Sequence, residues 1–118
     1  MQDRNRRMDG RLVLVTGAAG GIGAQIARQA VAEGARVIVS DVRRDEGERL
    51  ASELGQAARF VVHDVADEDE WNRLADMCRS EGGVRGLVNN AGIYDPRLIA
   101  DTDAALFERT MRINQLGT

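Results

Sequence analysis

The sequence predicts an α/β fold: a parallel sheet in strand order 3-2-1-4, with helices on both faces, truncated after the fourth strand and the helix that follows it. Two observations predict this. Short apolar runs at Leu12-Val13-Leu14-Val15, Val37-Ile38-Val39, Phe60-Val61-Val62 and Leu87-Val88 alternate with longer stretches whose apolar residues recur at helical spacing. The first run then breaks into Thr16-Gly17-Ala18-Ala19-Gly20-Gly21-Ile22-Gly23, a glycine turn that opens a helix. Parallel neighbours require a crossover, and nearly all such crossovers are right-handed, which leads to the stated order.

The fold begins at about Arg11, just after the turn signal Asp9-Gly10, with the domain spanning 10–118; residues 1–9 are polar and charged and read as a flexible tail. The first helix runs from about Gly21 to Glu33, with Ile22, Ile26, Ala27, Ala30 and Val31 as its face toward the sheet and Gly34 as its stop. The second strand ends at Ser40-Asp41. A charged helix over Arg43 to Leu54 turns Leu50 and Leu54 inward and is closed by Gly55. After the third strand and His63-Asp64-Val65, the run Asp67-Glu68-Asp69-Glu70 reads as the acidic first turn of a helix, with capping-box spacing between Asp67 and Glu70. Trp71, Leu74, Ala75 and Cys78 form its apolar face, which makes Trp71 a core residue, and Gly82-Gly83 ends it. Gly86 to Asn89 is the fourth strand, Asn90 to Pro96 opens a loop, and a last helix starts near Thr102.

Composition narrows the class. The 118 residues are 43% apolar and 30% charged, which suits one domain with a core and a polar surface. The net charge is −3 and no basic stripe extends beyond Arg4, Arg6 and Arg7, so no nucleic-acid partner is expected. No run reaches the roughly 18 apolar residues of a membrane span and the charged start has no secretory apolar segment, so no membrane partner and a cytoplasmic location are expected. Cys78 is the sole cysteine and His63 the sole histidine, which excludes an internal disulfide and a structural zinc site. All 16 basic residues are arginine; the chain contains no lysine.

The glycine turn carries the chemistry. Its spacing, Gly-x-x-x-Gly-x-Gly, lets a pyrophosphate approach the amino end of the first helix at Gly17, Gly21 and Gly23, where free N–H groups and the helix dipole favour negative charge. Asp41 stands 18 residues beyond Gly23, at the end of the second strand, where a carboxylate accepts bonds from both adenosine ribose hydroxyls. A 2′-phosphate there would face a like charge, which selects NAD over NADP. Arg43 and Arg44 could soften that preference, but they read first as ordinary surface residues at a helix start.

Taken together, Thr16-Gly17-x-x-x-Gly21-Ile22-Gly23, Asp41, Asp64-Val65, Asn89-Asn90-Ala91-Gly92 and Ile113-Asn114-x-x-Gly117 resemble the short-chain dehydrogenase/reductase family over about residues 10–118. The resemblance implies a partial NAD(P)-binding Rossmann domain. It also implies that Asp64 meets the adenine amino group, that Val65 packs on the ring, that Asn90 lies on the ribose side and that Asn114 supports a proton relay. Asp64 could instead be a helix-entry acid, and Asn90 and Asn114 could be structural. The family's Ser and Tyr-x-x-x-Lys are not found here: Tyr94, the sole tyrosine, is followed four residues later by Leu98. Arg85 departs from the acid common before the fourth strand in relatives.

The expectation is therefore the cofactor-binding part of an NAD-dependent oxidoreductase that transfers hydride between nicotinamide and a secondary alcohol or ketone. Ala30 to Val37, Glu70-Trp71 and Gly86 to Val88 resemble the bacterial 3α,20β-hydroxysteroid dehydrogenase branch. Relatives commonly form homo-tetramers through the helix beginning near Thr102 and the next one. The alternative is a non-catalytic dinucleotide-binding or partner-binding module.

Overall fold

The computed structural model describes residues 6–118, in which four parallel strands alternate with helices along the chain. The elements are β1 (Leu12–Thr16), α1 (Gly21–Ala32), β2 (Arg36–Asp41), α2 (Arg44–Leu54), β3 (Ala58–Val62), α3 (Glu68–Ser80), β4 (Gly86–Val88) and α4 (Ala104–Met111). The sheet order is β3-β2-β1-β4, as the alternation predicts. β1 pairs with β2 from Leu12 opposite Arg36 to Thr16 opposite Ser40. β2 pairs with β3 from Val37 opposite Ala58 to Asp41 opposite Val62, and β4 holds β1 through Gly86, Leu87 and Val88 alone. All strands therefore end at one edge, where parallel sheets receive ligands.

Both faces of β1 are covered, which is why the strand is an unbroken apolar run rather than an alternating one. Val13, Val15, Val37 and Val39 pack under α1 and α2 with Ala24, Ala27, Ala30 and Leu50; Leu12, Leu14 and Ile38 pack on the other face with Leu74 and Cys78. The face that α1 buries is thus made of small residues, Gly23, Ala24, Ala27 and Ala30. Ile22 corrects the expectation: it is 74% exposed. It stands in the first turn of α1, past the end of β1, where no sheet lies beneath it.

The expected tail is tied down where it is described. Met8 N donates to Glu33 O at 2.9 Å, Gly10 N to Gly34 O at 3.0 Å, and the Arg7 guanidinium grips the Glu33 carboxylate through Nε at 3.3 Å and a terminal nitrogen at 3.1 Å. Residues 1–5 of that tail lie outside the described residues.

Helix starts follow capping chemistry. The Asp67 side chain accepts from Glu70 N at 3.1 Å, while the Glu70 carboxylate reaches back to Asp64 N at 2.9 Å, a capping box stretched to the loop before it. α4 starts two residues later than the sequence suggests, because Asp103 takes the cap through Leu106 N at 2.8 Å; a π-helical turn, Arg112–Leu116, extends it. Among the described residues no helix is long and apolar enough to cross a membrane.

Candidate functional site

The carboxyl ends of the strands enclose a cleft of about 510 Å³, which includes Gly17, Gly21, Ile22, Asp41, Asp64, Val65 and Asn90 in its lining. A larger groove, about 750 Å³, opens at the amino ends of β1, β2 and β3, and an Arg36–Glu81–Arg59 ion cluster lies at its rim. The cleft is the candidate site, because the glycine turn, the uncapped end of α1 and the β2 carboxylate all meet there.

Gly17, Gly21 and Gly23 are needed for two kinds of reason. Gly17 has φ +62, and a Cβ there would stand 2.7 Å from the Ala91 backbone. Gly21 has φ +57 with open space around it. Gly23 has an ordinary backbone but no room: a Cβ would lie 2.5 Å from the Gly17 carbonyl and 2.4 Å from Asn90 Nδ2. Two glycines are thus set by the backbone turn and one by packing. The amino end of α1 is also distinctive. Its N-cap, Gly20, offers no side-chain bond and its first turn holds no acid, whereas α3 and α4 are capped by Asp67 and Asp103. The leading N–H groups of α1 are therefore left for an external acceptor.

The turn is held from the neighbouring strand ends. Thr16 Oγ1 accepts from Asn90 N and Ala91 N, both at 3.0 Å, and Asn90 Nδ2 donates to the Thr16 and Gly17 carbonyls at 3.1 and 3.0 Å. From β2, Asp41 Oδ2 accepts Ala19 N at 3.0 Å and Oδ1 accepts Arg43 N at 3.0 Å. Asp41 is only 7% exposed, yet each of its oxygens keeps acceptor capacity toward the cleft lining it joins.

Arg43 is not the plain surface residue its position suggests. Its guanidinium lies over Gly20, 3.0 Å from where a Cβ would stand, with Nε 3.5 Å from Asp41 Oδ1. Asp64 uses Oδ1 to accept Ala66 N at 2.9 Å, and Val65 is buried with its carbonyl accepting Trp71 Nε1 at 2.8 Å. Asn114 does not line the cleft. Both ends of its amide close on Ile93, accepting from its N at 2.8 Å and donating to its O at 2.9 Å, which pins the loop after β4.

Sequence reasoning did not single out several cleft residues, Gly20, Arg109 and His63 among them. Gly20 was hidden by its neighbours in the glycine run, Arg109 by its place on a charged helix, and His63 by having no partner nearby in sequence. His63 is buried, with Nδ1 2.7 Å from Ser40 Oγ. Burial holds its pKa below the usual 6.5, against the opposing charges of Glu70, Asp64 and Asp67.

Comparison with known proteins adds to this geometry. The model of the short chain dehydrogenase family matches residues 11–118. The chain is 43% identical over 119 residues to the sex determination protein tasselseed-2 of Zea mays, covering 95% of this chain and 35% of that protein. It is 39% identical over 112 residues to a 3-alpha-(or 20-beta)-hydroxysteroid dehydrogenase of Mycobacterium tuberculosis, covering 94% of this chain and 43% of that one. A crystal structure of a short-chain dehydrogenase/reductase, glucose/ribitol dehydrogenase, from Brucella melitensis superposes with a TM-score of 0.89 at 31% identity, over 93% of this chain and 48% of its own. The chain thus spans less than half the length of these relatives.

Proposed function

The chain belongs to the short-chain dehydrogenase family, and from that premise we propose that its cleft seats the adenosine and pyrophosphate of NAD in preference to NADP. The observation that carries this reading is the Asp41 carboxylate, buried at the end of β2 and fixed by the Ala19 amide at 3.0 Å, so that it faces the turn that would hold the pyrophosphate. A ribose diol can donate to both its oxygens, while a 2′-phosphate would bring a second negative charge against a fixed one. Gly17, Gly21 and the open end of α1 take the pyrophosphate, Ile22 stands exposed beside it, and Asp64 with Val65 takes the adenine. Asn90 braces the turn, and Gly23 lets Asn90 and the turn close on one another.

The bound cofactor would supply hydride transfer at its nicotinamide. For the whole protein we propose oxidation or reduction of a secondary alcohol or ketone, with a steroid as the substrate class suggested by the likeness to the mycobacterial hydroxysteroid dehydrogenase. The acid/base Tyr and its Lys are not among these residues, which include a single Tyr and no Lys. Asn114 would support their relay by fixing the loop at Ile93, and the chain on its own would not turn over an alcohol. We further propose a cytoplasmic homo-oligomer assembled through α4.

Titration of the purified chain with NAD and NADP tests the reading. NAD should bind at least about tenfold more tightly, a difference of about 1.4 kcal/mol. Asp41→Asn should narrow that ratio. Equal affinities for the two dinucleotides in the parent chain would overturn the assignment.

A further inference from the structure

His63 is a titratable group buried at the candidate site that the reading above leaves without a task. It follows the last residue of β3, is 2% exposed, and lies in the lining of the cleft beside Asp64 and Val65. Three contacts fix it. Its backbone N donates to Asp41 O at 3.0 Å, its Nδ1 sits 2.7 Å from Ser40 Oγ, and its ring meets that of Trp71 edge to face, with centroids 4.4 Å apart at 86°. Trp71 in turn donates from Nε1 to the Val65 carbonyl at 2.8 Å. The imidazole is therefore the middle of a chain, Ser40–His63–Trp71–Val65, that joins the ribose-facing end of β2 to the segment assigned to the adenine. Ser40 adds a second tie, since its carbonyl accepts Ala18 N of the glycine turn at 3.0 Å.

The other ring nitrogen, Nε2, is buried with no hydrogen-bond partner among the described residues. A neutral ring tolerates that at modest cost, because only one weak donor or acceptor goes unmet. A protonated ring has two N–H donors and a full charge in a site closed to water. Carboxylates stand around it: Asp41 at the end of β2, Asp64 and Asp67 in the following loop, and Glu70 on α3. The cations of the cleft are Arg43 and Arg109. None of these appears among the hydrogen-bond partners of Nε2, so a proton there is relieved only if the ring moves toward the cleft and its water.

We propose that His63 is a positioning residue for the adenine end of the dinucleotide, its neutral ring wedging Trp71 and the Asp64–Val65 segment in place, so that a proton gained there releases the dinucleotide. This rests on the cleft being a dinucleotide seat. An adenine lying on Asp64 and Val65 closes the route by which a protonated ring reaches water, so binding and protonation exclude each other. Burial already disfavours the proton on this ring, in keeping with this.

The chain has one histidine and one tryptophan, so both report without labelling. Proton NMR of the imidazole should follow His63 across pH 5–8, with and without saturating NAD, alongside NAD affinity at each pH. The His63 titration midpoint should fall by about one unit when NAD is bound, and affinity should drop about tenfold from neutral pH to below the free midpoint. His63→Asn, which keeps an amide group near the Nδ1 position facing Ser40, should bind NAD with a flat pH profile over that range. An unchanged midpoint in the presence of bound NAD would overturn the proposal while leaving the dinucleotide seat standing, as would a His63→Asn profile that keeps the parent slope. If no dinucleotide binds at any pH, the seat itself is refuted and this inference falls with it.

Discussion

Asn90 holds Gly17 from the far side of β1: its Nδ2 donates to the Gly17 carbonyl at 3.0 Å, and to the Thr16 carbonyl at 3.1 Å. The residue therefore braces the turn from within the cleft lining. Asn90→Ala leaves both carbonyls unmet in a half-buried place, and should cost about 1–3 kcal/mol of stability along with much of the NAD affinity. Urea unfolding and calorimetric titration check the two effects.

Gly17, Gly21 and Gly23 of the turn should separate by mutation. Gly21→Ala meets only the penalty of a left-handed backbone, about 1–2 kcal/mol, since nothing stands near its Cβ. Gly17→Ala adds a 2.7 Å clash with the Ala91 backbone, and Gly23→Ala drives a Cβ into the Gly17 carbonyl, so both should unfold at markedly lower urea than Gly21→Ala. Equal midpoints for all three would refute this account of the turn.

Strong acid should loosen the amino-terminal segment. The Arg7 side chain holds the Glu33 carboxyl down to about 2, from 4.5, by direct hydrogen bonding. That tie is complete above pH 4.5 and fades as the pH falls through about 2. Arg7→Gln should abolish this part of the acid dependence and expose the Met8 amide to earlier hydrogen exchange, while NAD affinity at neutral pH stays unchanged.

The open edge of β4 should make the isolated chain associate. Leu87 is 48% exposed on that edge, and Leu98, Ile99 and Phe107 also stand in solvent. An unpaired apolar strand edge is a template for other chains. Sedimentation velocity should show concentration-dependent association, reduced by Leu87→Lys; a monomer at all concentrations would contradict it.

Much of this was legible from the residues. Strand order followed from β-branched runs alternating with helical stretches, since a parallel pair has no other short connection. Gly17, Gly21 and Asp41 followed from glycine sterics and an acid at a strand end, while Asp64, Val65 and Asn90 came from the family resemblance. What stayed hidden depended on distances that a linear pattern does not encode. Ile22 fits the helical stripe but sits one turn too early to meet the sheet, and α1 closes on β1 through alanines instead. Arg43 lies over Gly20 only because β2 brings its end beside the first turn. Ser40 and His63 meet only through the β2–β3 register, which sets Ser40 opposite Val61. The start of α4 was missed by two residues because Asp101, Thr102 and Asp103 compete for one cap.

β4 is attached by three residues against the five of β1 with β2, yet its next residue but one, Asn90, supplies the brace that shapes the phosphate turn. A chain with β1, β2 and β3 in place would have its acid and its glycines but no finished turn. Ligand affinity should therefore depend on β4 staying docked, and a bound dinucleotide should slow amide exchange most there, at a strand it does not itself need to touch.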